Sequence, residues 1–324
     1  MTVAGKSFIS APLFRRRLSA TMLAWVLAGF APNAAFGQTN ATASPNQMVP
    51  ERGAAAQLSW LKGINLDLHF IRDNNVNRSS STTDAISDGS YQLNLSRSWA
   101  GDVYTKTRSV YTLGAGVQKW ADVSGLDRLF ASIDAKWQYR SSGAFDAPIW
   151  SALLGGVFEN FNSNLRDGTR LSAGASVWLP LAQRTEFNAA LSREARNARN
   201  AVFDGQNSVL RVGLDHTTIS GNVFYFEGEW RRGDQSSSGP ASLASLSTAR
   251  SFVSDDAFVG RSFRAYRFDG RVAVSTLGLF MPLSNGDAVD VSWRSFKAAT
   301  DELWITEPVR YRGNQISIQY QHNF

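Results

Sequence analysis

Apolar and polar residues alternate at every second position along most of the chain after about residue 61. The clearest example is a segment in which Leu129, Ile133 and Trp137 occupy alternate positions and Asp134 and Lys136 lie between them. Successive side chains of an extended strand point to opposite sides, so this pattern predicts a strand with one apolar and one polar face. The same division recurs, separated by turns or loops, through to the end of the chain.

Segments of this kind predict twelve strands. They lie near 61–71, 90–99, 109–119, 128–140, 149–161, 170–181, 186–194, 209–217, 222–231, 263–281, 288–296 and 315–324. The fifth has apolar residues on both faces, which leaves its register open. An even number of strands is typical of single-chain bacterial membrane barrels. We therefore expect an all-β protein: a transmembrane antiparallel up-and-down β-barrel of about 12 strands.

The links between the predicted strands alternate in length over the C-terminal half. The short links are 181–185, the turn around Gly221 and 284–287, and the long links are 195–208, 232–262 and 297–314. Bacterial barrels have short periplasmic turns and longer extracellular loops. The last strand is therefore expected to end in the periplasm. The links 120–127 and 141–148 are similar in length and do not test this direction.

The N-terminus has the pattern of a secretory signal peptide. Basic residues Arg15–Arg17 precede an apolar run from Leu18 to Phe30, and Ala35 and Gly37 suit the positions before a cleavage site. We expect a signal peptide at 1–37, a flexible periplasmic lead-in at 38–56 and the barrel domain at 57–324. A second possible cleavage site lies at 41–43. A membrane anchor is disfavoured, because the apolar run is short for a spanning helix.

Composition narrows the possible classes of function. The formal net charge of +6 falls to +2 without residues 1–37, which contain four basic residues and no acid. A nucleic-acid partner would require a basic surface in the mature chain, so we expect none. The chain has no cysteine, which excludes disulfides and thiolate metal sites. No cofactor and no metal site is expected.

The last ten residues carry a recognisable pattern. Polar residues alternate with Ile316, Ile318, Tyr320 and His322, and the chain ends at Phe324. This segment resembles the C-terminal signature of Gram-negative outer-membrane β-barrels, with His322 as an imperfect member. The resemblance implies that Ile316, Ile318, Tyr320 and Phe324 form an assembly signal for the barrel-assembly machinery. It also implies outer-membrane lipid around the barrel. A soluble β-sandwich, the alternative, would not explain this ending.

If the apolar faces contact lipid, the polar faces line a lumen. The residues predicted there are Asp134, Lys136, Arg140, Arg211, Asp215, Glu227, Glu229, Arg267, Asp269 and Arg271. In a narrow barrel, opposite charges would pair and partly fill the interior. In a wider barrel, they would set the ion selectivity of a water-filled path. The sequence leaves both possibilities open.

Candidate catalytic residues are few. After the signal peptide the histidines are His69, His216 and His322. His69 is predicted to face inward, but no serine stands beside it in a nucleophile context. In the long loop, Asp255 and Asp256 do not match calcium-loop spacing and are expected to be solvated charges. We therefore predict no enzyme activity.

The sequence favours a porin-like passive channel or export pore for small polar solutes or a polymer. A periplasmic or inner-membrane transport partner would accompany an export pore. The alternative is a non-conducting surface protein whose loops 232–262 and 297–314 bind a partner. A lipid-modifying outer-membrane enzyme is the third hypothesis.

Overall fold

A computed structural model describes residues 63–101, 106–142, 144, 146–283, 286–301 and 309–324. Residues 1–62, with the predicted signal peptide and lead-in, lie outside the described residues. The strands are β1 (Ile64–Asp73), β2 (Asp88–Ala100), β3 (Thr107–Trp120), β4 (Arg128–Arg140), β5 (Ile149–Phe161), β6 (Gly168–Ala182), β7 (Thr185–Ala198), β8 (Gly205–Thr217), β9 (Val223–Pro240), β10 (Ser251–Ser254), β11 (Phe263–Pro282), β12 (Ala288–Thr300) and β13 (Arg310–Asn323). A short helix, α1 (Leu243–Thr248), precedes β10.

Twelve of these strands form a closed antiparallel ring, as the sequence predicted. Each strand from β1 to β9 pairs with the next, β9 pairs with β11, and β11 to β13 continue the ring. β13 then pairs with β1, from Asn65 opposite Asn323 to Asp73 opposite Gln315. Short β10 pairs with residues 264–267 of β11 and is not part of the ring. Closure leaves none of these twelve strands with a free edge.

The two ends of the barrel differ. We call the end that holds residue 324 and the links 183–184, 218–222 and 283–287 the turn end. We call the opposite end the loop end; its largest link is 241–262. One predicted long link was wrong: β7 and β8 continue further than expected, so 195–208 shrinks to the six residues 199–204.

The outer face of the barrel is apolar around its middle. Ile133, Trp137, Leu191 and Trp230 are 57, 54, 61 and 49 % exposed. Their neighbours along each strand point the other way and are more buried, as in Ser132, Ser192 and Glu229. Alternation with period two therefore separates an apolar outer surface from a polar inner wall.

The largest link crosses the mouth at the loop end. Ala257 and Phe258, in the β9–β11 link, pack with Val76, Val123 and Phe263. The β3–β4 link that holds Val123 stands six strands away around the ring of twelve, on the opposite side. We call residues 255–258 the cap, because this segment extends across the barrel opening.

Candidate functional site

The inner wall of the barrel carries a carboxylate surrounded by three arginines. Glu159 of β5 is only 2 % exposed, and its Oε1 lies 2.5 Å from Arg128 Nη1 and 2.9 Å from Arg170 Nη2. Its Oε2 lies 3.7 Å from Arg196 Nη2. Strand pairing places these four side chains on adjacent strands β4 to β7. We call them the Glu159 cluster; it has an excess of two positive charges.

A second cluster lies on β7, β8, β9 and β12. Arg211 Nε and Arg231 Nε lie 2.6 and 2.5 Å from Glu229 oxygens, and Arg294 Nη2 lies 3.8 Å away. Glu194 lies 3.1 Å from Arg231, and Glu227 lies 3.9 Å from Arg211. This Glu229 cluster balances three arginines with three glutamates. Burying such charges is tolerable because each one has an oppositely charged partner.

A cavity of ≈ 370 Å³ lies between the two clusters. Its lining includes Glu159 and Arg196 from the first cluster and Glu194 and Arg231 from the second. Arg78, from the β1–β2 link, also reaches this cavity and lies over the Phe296 ring at 4.2 Å from its centroid. A solute in this space would meet five arginines and four carboxylates, a small excess of positive charge.

The cap is held by a buried ion pair at the loop end. Arg166 Nη1 and Nη2 each lie 2.7 Å from an Asp255 oxygen, and the two side chains are 8 and 0 % exposed. Ser238 Oγ donates a third hydrogen bond to Asp255 at 2.5 Å. Burial alone would raise the pKa of Asp255, but the hydrogen bonds and charge of Arg166 hold this pKa below its usual value. The expectation of a solvated Asp255 was wrong, because this carboxylate anchors a link that crosses the mouth.

Seven of the ten predicted lumen residues lie on the inner face. Asp134, Lys136 and Arg140 share the face of β4 opposite exposed Ile133 and Trp137. Arg211, Glu227 and Glu229 belong to the Glu229 cluster. Asp215 lies nearer the turn end, directly opposite Glu186 on β7. That these residues line a conducting path remains a prediction.

The other three, Arg267, Asp269 and Arg271, face outward, and their prediction was wrong. Arg271 pairs directly with Arg232 and shares the outer face of exposed Trp230 and Leu277. The opposite face of β11, which points inward, carries apolar Phe268, Val272 and Val274. This part of β11 lies beyond the apolar band of the outer surface. Water can reach the outer face of β11 here, so a polar side chain no longer indicates the inner face of the strand.

The sequence interpretation missed all four residues of the Glu159 cluster. Arg196 lies beyond the predicted end of the seventh strand, and Glu159 lies on the strand whose register was left open. Ser192, Glu194 and Arg196 continue the alternation of the predicted seventh strand, which would have extended that strand to include Arg196. The proximity of Glu159 to Arg196 also depends on the register between β5, β6 and β7, which period-two patterns do not encode.

The histidines lie apart from one another. His69 is buried on the inner face, opposite Gln92 on one neighbouring strand and Gln319 on the other. Among the described residues, no hydrogen bond joins His69 to a serine or a carboxylate.

No group of three or more metal-ligating side chains occurs in the part of the chain that the structure describes. Nor does the described region contain a helix long and apolar enough to span a membrane.

The C-terminal strand presents its apolar residues outward. Ile316 and Ile318 are 54 and 47 % exposed. The Tyr320 hydroxyl donates to Asp287 Oδ2 at 2.6 Å, and His322 Nδ1 lies 2.7 Å from Asp287 Oδ1. These contacts lower the pKa of Asp287, chiefly through the Tyr320 hydrogen bond. They fix β13 to the β11–β12 turn at the turn end.

The similarities to known proteins are to solved structures, at low identity and with TM-scores below 0.5. No family model and no curated protein matches the chain. Among solved structures, a KdgM porin in complex with disordered oligogalacturonate is 10 % identical, with a TM-score of 0.37, over 80 % of this chain and 99 % of its own. A NanC porin is 8 % identical, with a TM-score of 0.41, over 80 and 100 %. LpxR from Salmonella typhimurium is 9 % identical, with a TM-score of 0.34, over 79 and 99 %.

Proposed function

We propose that this protein is a passive channel of a Gram-negative outer membrane, for small polar solutes and with a preference for anions. The observation that supports this most is the charged inner wall of a closed barrel. The Glu159 and Glu229 clusters together hold six arginines and four glutamates, and four of these arginines and two of these glutamates line one cavity. Rings of arginine in a narrow path favour anions.

The membrane placement is part of the proposal. The lipid-exposed apolar band, the N-terminal signal pattern and the C-terminal strand signature support insertion with the turn end in the periplasm. The loop end would then face the cell exterior, with the cap across its opening. Barrel assembly from the periplasm would use Ile316, Ile318, Tyr320 and Phe324.

Small solutes fit the interior better than a polymer does. The cavity between the clusters is ≈ 370 Å³, and the cap crosses the route to the exterior. An extended polymer would need a continuous path past both. We therefore favour small solutes over polymer export.

A second function is favoured by the cap itself. If the buried Arg166–Asp255 pair keeps the mouth closed, the barrel would act as a surface protein whose loops bind a partner. Conductance separates the two functions. Purified, folded protein in planar bilayers should produce discrete current steps, and a salt gradient should give a reversal potential of the sign for anion preference. Inserted but silent protein would favour the surface protein.

A further inference from the structure

The lipid-facing side of the barrel carries a band of basic residues on part of its circumference. Arg193 is paired with Ser208, Ser208 with Arg232, Arg232 with Arg271, Arg271 with Ala299, and Ala299 with Arg310. Directly paired residues of antiparallel strands point to the same face. These four arginines therefore form one outward row across β7, β8, β9, β11, β12 and β13. We call it the outer arginine row.

The row lies immediately above the apolar surface. The next row toward the turn end contains Leu191, Leu210 and Trp230, which are 61, 46 and 49 % exposed, and it continues through Ala273 to Lys297 and Arg312. Outward residues on one strand are two positions apart, or about 7 Å. On β7 to β9 the outward side chains thus change from apolar to polar or basic within about 7 Å, and on β12 and β13 basic residues begin one row nearer the turn end. We place the boundary between lipid tails and headgroups at this change.

Like charges stand directly opposite each other in this region. Arg232 is paired with Arg271, and Lys297 is paired with Arg312. Such pairs are destabilising unless an anion lies between them. Asp301 supplies this anion for the first pair: it lies 3.4 Å from Arg232 and also forms an ion pair with Arg271. No ion pair to Lys297 or Arg312 occurs among the described residues.

The outward basic residues are concentrated on one side of the barrel. The described outward positions of β2 to β6 hold two basic residues, Arg97 and Lys119. The outward positions of the remaining ring strands hold eight: Arg72, Arg193, Arg232, Arg267, Arg271, Lys297, Arg310 and Arg312. If these basic residues only made the part of the barrel outside the membrane soluble, they would be spread evenly around it. Their uneven distribution therefore needs another explanation.

The same side is concave. A cleft of ≈ 650 Å³ is lined by Arg193, Arg232, Arg250 and Arg267, and also by Leu171 of the neighbouring strand β6. Asp234 and Asp269 neutralise part of this charge through Arg250, at 3.3 and 2.9 Å. The Arg193 guanidinium group donates to Ser208 Oγ at 2.7 Å and to Gln206 Oε1 at 3.2 Å, and the side chain remains exposed. Arg232 and Arg250, whose side chains are 72 and 48 % exposed, are also accessible from outside the barrel.

We propose that this surface binds the phosphate groups of a glycolipid in the outer leaflet of the membrane. Arginine recognises phosphate through paired N–H donors, and its stem can lie along apolar surface while its head reaches a headgroup. The phosphate would lie between Lys297 and Arg312 and along the outer arginine row. The acyl chains would cover Leu191, Leu210 and Trp230. This site depends on the membrane placement proposed above but not on conduction, so a silent barrel would leave it intact.

The test measures lipid binding to the refolded barrel in detergent by native mass spectrometry. The three probes are a bisphosphorylated disaccharide glycolipid, the same lipid after removal of its phosphates, and inorganic phosphate. We expect the phosphorylated lipid to bind at least tenfold more tightly than the dephosphorylated lipid. Millimolar inorganic phosphate should not displace it. Equal binding of both lipids would overturn the proposal, and displacement by free phosphate would identify a soluble anion as the ligand instead.

Matched variants locate the site. Lys297→Gln with Arg312→Gln removes two charges without breaking an ion pair among the described residues, and should weaken binding of the phosphorylated lipid about tenfold. Arg97→Gln with Lys119→Gln removes two outward charges from the other side and should leave binding unchanged. Heat-dependent gel mobility confirms that each variant is folded. Equal weakening by both double variants would show that only net charge matters and would contradict a built site.

Discussion

Arg166 and Asp255 form a two-point ion pair 89 residues apart in sequence, with both N–O distances at 2.7 Å. The pair joins the β5–β6 link to the β9–β11 link across the loop end of the barrel. Arg166 also lies over the Phe203 ring, 4.1 Å from its centroid. One arginine therefore secures the segment that crosses the opening.

Arg166→Ala should release the cap. The substitution leaves Asp255 buried without its charge partner, and loss of one member of a buried pair costs about 3–5 kcal/mol. We expect residues 255–258 to exchange amide hydrogens faster while the barrel strands remain protected. Arg199→Ala, which removes an exposed arginine of the neighbouring β7–β8 link, is the matched control. Unchanged exchange in Arg166→Ala would show that the cap is held by its apolar contacts alone.

Acid should loosen the cap only below the usual pKa range of aspartate. The folded-state pKa of Asp255 is lowered, so its carboxylate stabilises the cap fully above the unfolded value of about 3.9. That stabilisation is lost as pH falls through the lower, folded-state pKa. Protection of the Ala257 amide, which donates to Asp255 Oδ1 at 3.1 Å, should be constant from pH 7 to 5. A loss of protection within that interval would contradict the assignment.

Gly125→Ala should displace the cap from the opposite side of the mouth. A Cβ at Gly125 would overlap the backbone of Ala257, which a side-chain rotation cannot relieve. We expect faster exchange of the cap and a lower unfolding temperature. Gly239→Ala is the control, because its Cβ would meet only Ser79 Oγ at an ordinary 3.6 Å. Equal behaviour of the two variants would mean that the cap does not rest on Gly125.

Much of the architecture could be predicted from the sequence, and the reason is physical. A barrel in a membrane has an apolar outside and a polar inside. Period-two alternation therefore identifies both the strand and the face on which each side chain lies, as for Ile133 and Asp134. The rule fails where the surroundings change. Arg271 lies beyond the apolar band and was assigned to the wrong face. The cap depends on contacts between links far apart in sequence, such as Arg166 with Asp255, which no local pattern contains.

Glu159→Gln should increase anion preference. The variant leaves Arg128, Arg170 and Arg196 without their shared carboxylate and adds one net positive charge to the inner wall. The reversal potential in a KCl gradient should shift toward the chloride equilibrium potential. Asp146→Asn, the same charge change in the β4–β5 link, should leave it nearly unchanged. A shift of equal size in both would place the selectivity outside the Glu159 cluster.

The most direct test of the channel is single-channel recording of the folded wild-type protein beside Arg166→Ala in planar bilayers. The proposed function predicts discrete, anion-preferring current steps, with longer or larger openings when the cap is released. Gel mobility before and after boiling establishes that both proteins are folded. Inserted, folded barrels that pass no current in either form would contradict a passive channel.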